Sequence, residues 1–259
     1  MHLIYPQQPS IALVIGTFGS VPYVHLQLEA WKRYCPQIPV LVHDDSSPHH
    51  RALAALCDQY GAAFHYSSVR APTDPPGLGD LAAFCQGVMW ADKIKADILV
   101  KFSRRWIVLK DWVTELQRLA WGTQYPTYSS YCTSYGFGFR TECLAMHTKS
   151  WVQSNFLEDS FDRIRRAELP LPEHYIHLHA DALLSNTGCD RCREVDASVT
   201  KDLPFGGCLR GYGQWMLMGT SRNAAHPLCL WHDSNSVGEY RAKMLEFGFD
   251  YANWSAASY

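Results

Sequence analysis

Four short apolar runs punctuate the first 102 residues, and the pattern between them constrains the fold more than any other feature of the chain. The runs are Ile11–Thr17 (Ile-Ala-Leu-Val-Ile-Gly-Thr), residues 40–43 (Val-Leu-Val-His), residues 62–66 and residues 98–102, which open Ile-Leu-Val. Where they are continuously apolar rather than alternating, they read as strands buried on both faces. Helical spacing fills each gap. Leu26, Leu28, Ala30 and Trp31 fall within residues 24–34, after a Pro22 suited to a first helical turn. Residues 48–60 form the second segment, opened by Pro48, with Ser47 as the expected N-cap and Gly61 as the stop. After a loop with Pro72, Pro75, Pro76, Gly77 and Gly79, residues 80–95 set Leu81, Phe84, Val88 and Met89 along one face. Strand and helix alternating four times predict an α/β fold: a mostly parallel sheet, helices on both faces, right-handed connections.

The second half is less regular. A helix is expected over 112–121, strands or a strand-containing loop over 125–146, and helices over 160–167, 174–185 and 236–247. Residues 206–220, aromatic and glycine-rich, could form a strand pair. No repeat and no low-complexity linker divides the 259 residues, so a single domain is expected. Residues 1–122 would be its ligand-binding half and 123–259 its irregular rear half. A formal net charge of -2 gives no electrostatic support for a nucleic-acid partner. No stretch has the apolar length of a membrane span, and the N-terminus lacks the pattern of a secretion signal. Nine scattered cysteines then fit reduced thiols and a cytoplasmic location.

Two polar stretches stand where buried strands must surface. Asp44-Asp45-Ser46-Ser47 follows the second strand, and Ser103-Arg104-Arg105 follows the fourth. In open α/β sheets the ligand crevice lies beyond the carboxyl ends of the strands. Carboxylates there can accept hydrogen bonds from a base or ribose, and paired guanidinium groups fit a phosphate. A turn with a helix cap accounts for the first stretch equally well, and a solvated arginine pair for the second.

Gly16-Thr17-Phe18, then Asp44-Asp45-Ser46-Ser47, then Gly79-Asp80 with the helix leading to Ala96-Asp97, resemble the nucleotide-sugar half of GT-A fold glycosyltransferases, most closely the family-2 type. The resemblance covers the first half of the chain. It implies a GT-A-like, Rossmann-like sheet and a donor site drawn from Thr17, Phe18, Asp44, Asp45, Ser46, Asp80 and Ser103. In that family the fourth strand ends in an Asp-x-Asp motif that holds a divalent metal on the diphosphate. Ser103-Arg104-Arg105 stands here instead, which counts against a metal at that position. No cofactor is therefore expected, with Arg104 and Arg105 taking over the charge of the departing diphosphate. A metal held elsewhere stays the alternative.

The resemblance also implies that Phe137-Gly138-Phe139-Arg140-Thr141-Glu142 borders the acceptor, with Arg140 on phosphate and Glu142 as a catalytic group acting on the acceptor. It implies a late histidine, His232, reaching back to the donor. An alternating aromatic strand and a packed histidine at a strand end explain those residues as well. An inverting transfer needs a base for the acceptor hydroxyl. Glu158, Asp159, Glu173, His174 and Asp181 are candidates; the resemblance implies a base near a helix start, which places Glu173 and Asp159 first, though the dipole favours acids there in any case. His174, His177, His179 and Asp181 crowd one helix, where an ordinary polar face is favoured over a metal site. Cys189-x-x-Cys192 has half of a zinc-site spacing. The expectation is a glycosyltransferase of hexosyltransferase type, using a nucleotide-sugar donor and a glycan or lipid-linked acceptor. A catalytically inactive sugar- or nucleotide-binding module of the same fold, and a nucleotidyltransferase, are the alternatives.

Overall fold

The computed structural model describes residues 8–74, 76–103, 106–108, 111–114, 116–117, 127–131, 139–168, 171–187, 216–218, 229–231 and 237–246. The expected strands are present as β1 (Ile11–Thr17), β2 (Val40–Asp44), β3 (Ala63–Tyr66) and β4 (Ile98–Ser103). The helices between them are α1 (Val21–Tyr34), α2 (His50–Tyr60) and α3 (Leu78–Lys93). Beyond β4 come β5 (Trp106–Val108), β6 (Thr127–Tyr131), β7 (Phe139–His147), α4 (Thr148–Val152), α5 (Phe156–Arg166), α6 (Pro172–Thr187), β8 (Met216–Met218), β9 (Cys229–Trp231) and α7 (Val237–Glu246). The described part of the expected 112–121 helix is helical at Val113, Thr114, Leu116 and Gln117.

The main sheet has the order β3-β2-β1-β4-β7-β6. β3, β2, β1 and β4 are mutually parallel, β7 runs antiparallel to β4, and β6 antiparallel to β7, so five of the six strands point the same way. A small antiparallel sheet, β5-β9-β8, stands beside it. Every residue of β1 and β4 is buried, as their mostly apolar character requires, and in β4 this includes Lys101 and Ser103.

Alternation along the strands divides the core into two layers. Ile11, Leu13 and Ile15 of β1, with Ile98, Val100 and Phe102 of β4, pack under Val24, Leu28 and Trp31 of α1 and Leu53 and Leu56 of α2. Ala12, Val14 and Leu99 face the other way, toward Leu81, Phe84 and Val88 of α3 and toward Trp151, Phe156 and Tyr175 beyond it. The α2 stripe Leu53, Leu56, Cys57 and Tyr60 follows the 3.6-residue period.

This arrangement creates one switch point. From β1 the chain moves through α1, β2 and α2 to β3 on one side. It then returns through α3, on the opposite face, to β4 on the other side of β1. Connections that leave β1 and reach β4 on opposite faces open a crevice outside their carboxyl ends, where α/β sheets take ligands.

Candidate functional site

Gly16 of β1 pairs with Ser103 of β4, and Thr17 pairs with Asp44 of β2, so all three strand exits open at this crevice. Asp45 donates its backbone N–H to the Thr17 carbonyl at 3.0 Å, tying the second exit to the first. Its carboxylate Oδ1 accepts the Ala71 N–H at 2.9 Å. A Cβ at Gly79, in the first turn of α3, would lie 2.7 Å from the other oxygen, Oδ2. Glycine is therefore what lets the Asp45 carboxylate rest against the α3 N-terminus. Burial pushes the Asp45 carboxyl up, and Asp44 and Asp80 add to this, while the Ala71 N–H and Arg70 oppose it.

Asp44 is fully buried. One of its oxygens accepts the Ser47 hydroxyl at 2.9 Å, while Oδ1 has no partner among the described residues. Ser47 does not cap α2 as expected. The helix starts later, at His50, and the Ser47 hydroxyl accepts the His49 N–H while it braces Asp44. Between the two acids and Ser47, Ser46 takes a left-handed backbone (φ 61°), a conformation that costs a non-glycine residue on the order of 1 kcal/mol.

Asp80 stands next to Gly79 at the start of α3. Its Oδ1 accepts Lys101 Nζ at 2.6 Å, from a lysine with no exposed surface in the middle of β4. Phe18, 42 % exposed, follows β1 directly. The Arg70 guanidinium carbon lies 3.7 Å from the centre of the Phe18 ring, a cation–π stack at the crevice mouth. Thr17, Phe18, Asp44, Asp45, Ser46, Asp80 and Ser103 are thus gathered at one end of the sheet. Arg70 and Lys101 join them without having been expected.

Arg104, Arg105 and His232 lie outside the described residues, as do Cys189 and Cys192. The strand residues next to them in sequence, Trp106 and Trp231, pair with each other in the small sheet. Ser103 and Trp106, which bracket the two arginines, have both carbonyls held by one side chain: Gln27 Nε2 donates to them at 2.7 and 2.8 Å. Cys143 of β7 pairs with Phe102, so the backbone of Arg140 and Glu142 occupies the part of β7 at the crevice end of the sheet; their side chains lie outside the description.

The two acids expected at helix starts separate in space. Glu173 is the second residue of α6, and its neighbour Pro172 packs against Gly77: a Cβ there would lie 3.2 Å from Pro172 Cγ. The α6 N-terminus therefore meets the α3 N-terminus at the crevice. Asp159 belongs to another cluster, on α5, where it accepts Arg163 Nε at 2.9 Å and the Tyr175 hydroxyl at 3.0 Å. Arg163 is the main cause that holds the Asp159 carboxyl below the usual range. His179 packs edge-on against Phe156 and Tyr175, and His177 is buried, so the expected polar histidine face is partly a packing face.

The resemblance implies a divalent ion, and the residues here fit one poorly. Asp45 is engaged by the Ala71 N–H and Asp80 by Lys101. Among the described residues no group of three His, Cys, Asp or Glu side chains could hold a metal. Nor, among them, is any helix long and apolar enough to cross a membrane.

No protein-family model matches the sequence. No curated protein matches it either. Solved structures that align with the chain include a mannosyltransferase from Pyrobaculum calidifontis in complex with GDP-Man and Mn2+, at 12% identity over 59% of this chain and 49% of that one, with a TM-score of 0.42. The glycosyltransferase GlyE of Streptococcus pneumoniae aligns at 13% identity over 75% of this chain and 47% of its own, with a TM-score of 0.44. A cytidylyltransferase from Leptospira borgpetersenii aligns at 14% identity over 70% and 73%, with a TM-score of 0.39. This chain spans about half the length of the first two.

Proposed function

We propose that the crevice beyond β1, β2 and β4 binds a nucleotide-sugar and that the chain is a GT-A-like glycosyltransferase of the hexosyl-transferring kind. The observation that carries this reading is the meeting of Asp45, Asp80, Phe18 and Arg70 at the switch point of the sheet. Acceptor carboxylates beside an exposed ring and a guanidinium plane suit a nucleoside: hydrogen-bond acceptors for its N–H and O–H groups, flat surfaces for its base. Asp45 rather than the enclosed Asp44 faces the nucleoside in this reading.

Arg104 and Arg105 take the diphosphate, where fixed guanidinium groups offset the charge that develops on the leaving group without a metal. Adjacent residues on an extended segment point to opposite sides, so one arginine does this directly. Glu173 is the preferred base for an acceptor hydroxyl, because Asp159, held ionised by Arg163, is the weaker proton acceptor. Arg140, Glu142 and His232 complete the acceptor and donor walls. The acceptor is a glycan or a lipid-linked sugar, the location is the cytoplasm, and residues 1–122 and 123–259 act as halves of one unit.

Calorimetry with UDP, GDP, CDP and ADP, followed by turnover of the matching nucleotide-sugars with and without EDTA, tests the proposal. Binding with chelator-insensitive turnover is expected, and Asp45→Ala should weaken binding by about 1–3 kcal/mol. Binding without turnover would identify a catalytically inactive module. Absence of binding would overturn the reading.

A further inference from the structure

Among the described residues Lys101 is the one buried lysine or arginine. It sits in the middle of β4, between Val100 and Phe102, where both flanking side chains are core. An ion pair sealed in a core is poor evidence of stabilisation, because apolar residues of similar volume serve as well or better. Its placement points to another use.

Strand alternation turns Lys101 toward α3, on the same side as Gly16. A Cβ at Gly16 would lie 3.9 Å from Lys101 Cε, 3.6 Å from Asp80 Oδ1 and 2.7 Å from Ala83 Cβ. The bare glycine therefore lets α3 close on the end of β1 at Ala83, and the lysine stem passes beside it at van der Waals distance. Nζ emerges 2.6 Å from Asp80 Oδ1. One end of the pair has no exposed surface, while the Asp80 side chain is 29% exposed. The second Asp80 oxygen has no partner among the described residues. Asp45, cradled by Gly79, is next to it.

We infer that Lys101 is a positioning residue: it clamps the inner oxygen of Asp80 so that the outer oxygen stands fixed at the crevice as an acceptor for a ribose hydroxyl of the bound nucleotide. This rests on the nucleotide reading above. A hydroxyl is the group that fits, because a phosphate oxygen there would face two carboxylates with the one ammonium already engaged. Prior fixation by Lys101 removes the cost of ordering the carboxylate on binding.

The test uses the nucleoside diphosphate that the wild-type chain binds best and its 2′,3′-dideoxy analogue, with Asp80→Asn, Lys101→Met and the double variant Lys101→Met/Asp80→Leu. Asp80→Asn removes the carboxylate charge beside a buried ammonium and should lower the melting temperature. The double variant should recover it. Wild type should bind the dideoxy analogue about 10-fold or more weakly than the parent nucleotide, the scale of a lost hydrogen bond to a charged group. The refolded double variant should bind both equally, at the weaker level. Lys101→Met, which leaves a partly exposed carboxylate and needs no recovery, should show a reduced ratio. A double variant that melts like wild type and keeps the full ratio would overturn the inference, as would a wild type that binds the nucleotide and ignores the missing hydroxyls. A wild type that binds no nucleotide would overturn the nucleotide reading, and this inference with it.

Discussion

Two acid–cation pairs in this chain look alike on paper and differ in what surrounds them. Lys101–Asp80, at the crevice, has side chains 0% and 29% exposed, while Arg163–Asp159, on α5, has 42% and 39%. The α5 pair joins residues four apart on one helix, is well solvated, and is the kind of contact that water and salt make nearly neutral. The crevice pair joins residues 21 apart on a helix and a strand, and its lysine has no exposed surface. A buried charge that could be apolar points to a ligand; a solvated one does not.

The largest effect that would sharpen this contrast is on stability. Asp80→Asn should cost about 3–5 kcal/mol in urea unfolding, because it takes the paired negative charge away from the buried Lys101 ammonium. Arg163→Met should leave the unfolding midpoint where it is. Equal costs would break the comparison. Next comes the cradle: Gly16→Ala forces a methyl to within 2.7 Å of Ala83 and should cost about 1–3 kcal/mol, as overpacking does, and should weaken nucleotide binding as well.

Acid sensitivity should also divide between the two regions. His43, buried at the end of β2 with its Nδ1 2.9 Å from that of His65, is pushed down to about 3 by burial, then by His65. Its folded pKa lies below the unfolded value, so the unfolded chain takes up the proton first. Stability is full above about pH 6.5 and falls as the pH drops toward 3. His179 is lowered too, by burial, with Asp159 opposing. His43→Gln should therefore flatten the stability profile between pH 6.5 and 4 more than His179→Gln does, and the reverse order would move the main acid-sensitive site to α5 and α6. The smallest effect belongs to Ser47→Ala, about 1 kcal/mol from the loss of the Asp44 brace.

The contrast also explains what the sequence disclosed. β1 was legible from end to end because a strand buried on both faces carries no polar residue before its last, Thr17. Asp44 and Asp45 were legible because they stand where an apolar run stops, and Asp80 because Gly79-Asp80 is part of the resemblance. The role of Lys101 is hidden in the sequence, since its partner is 21 residues away on another element and no periodicity links them. The signal was nonetheless there: a lysine inside an otherwise unbroken apolar run. Arg70 lies in a loop without pattern, and its stack on Phe18 depends on two strand ends meeting. Glu173 and Asp159 gave the same signal, an acid in a first helical turn. The packing of Pro172 on Gly77 and the grip of Arg163 separate them, and both are tertiary.

Hydrogen exchange with and without saturating nucleoside diphosphate tests the central claim most directly. The account predicts added protection at residues 16–19, 44–47, 70–71 and 78–81, the segments that converge on the switch point, with α5 unchanged. Protection confined to α5 and α6 around Asp159, with those four segments exchanging as before, would contradict it.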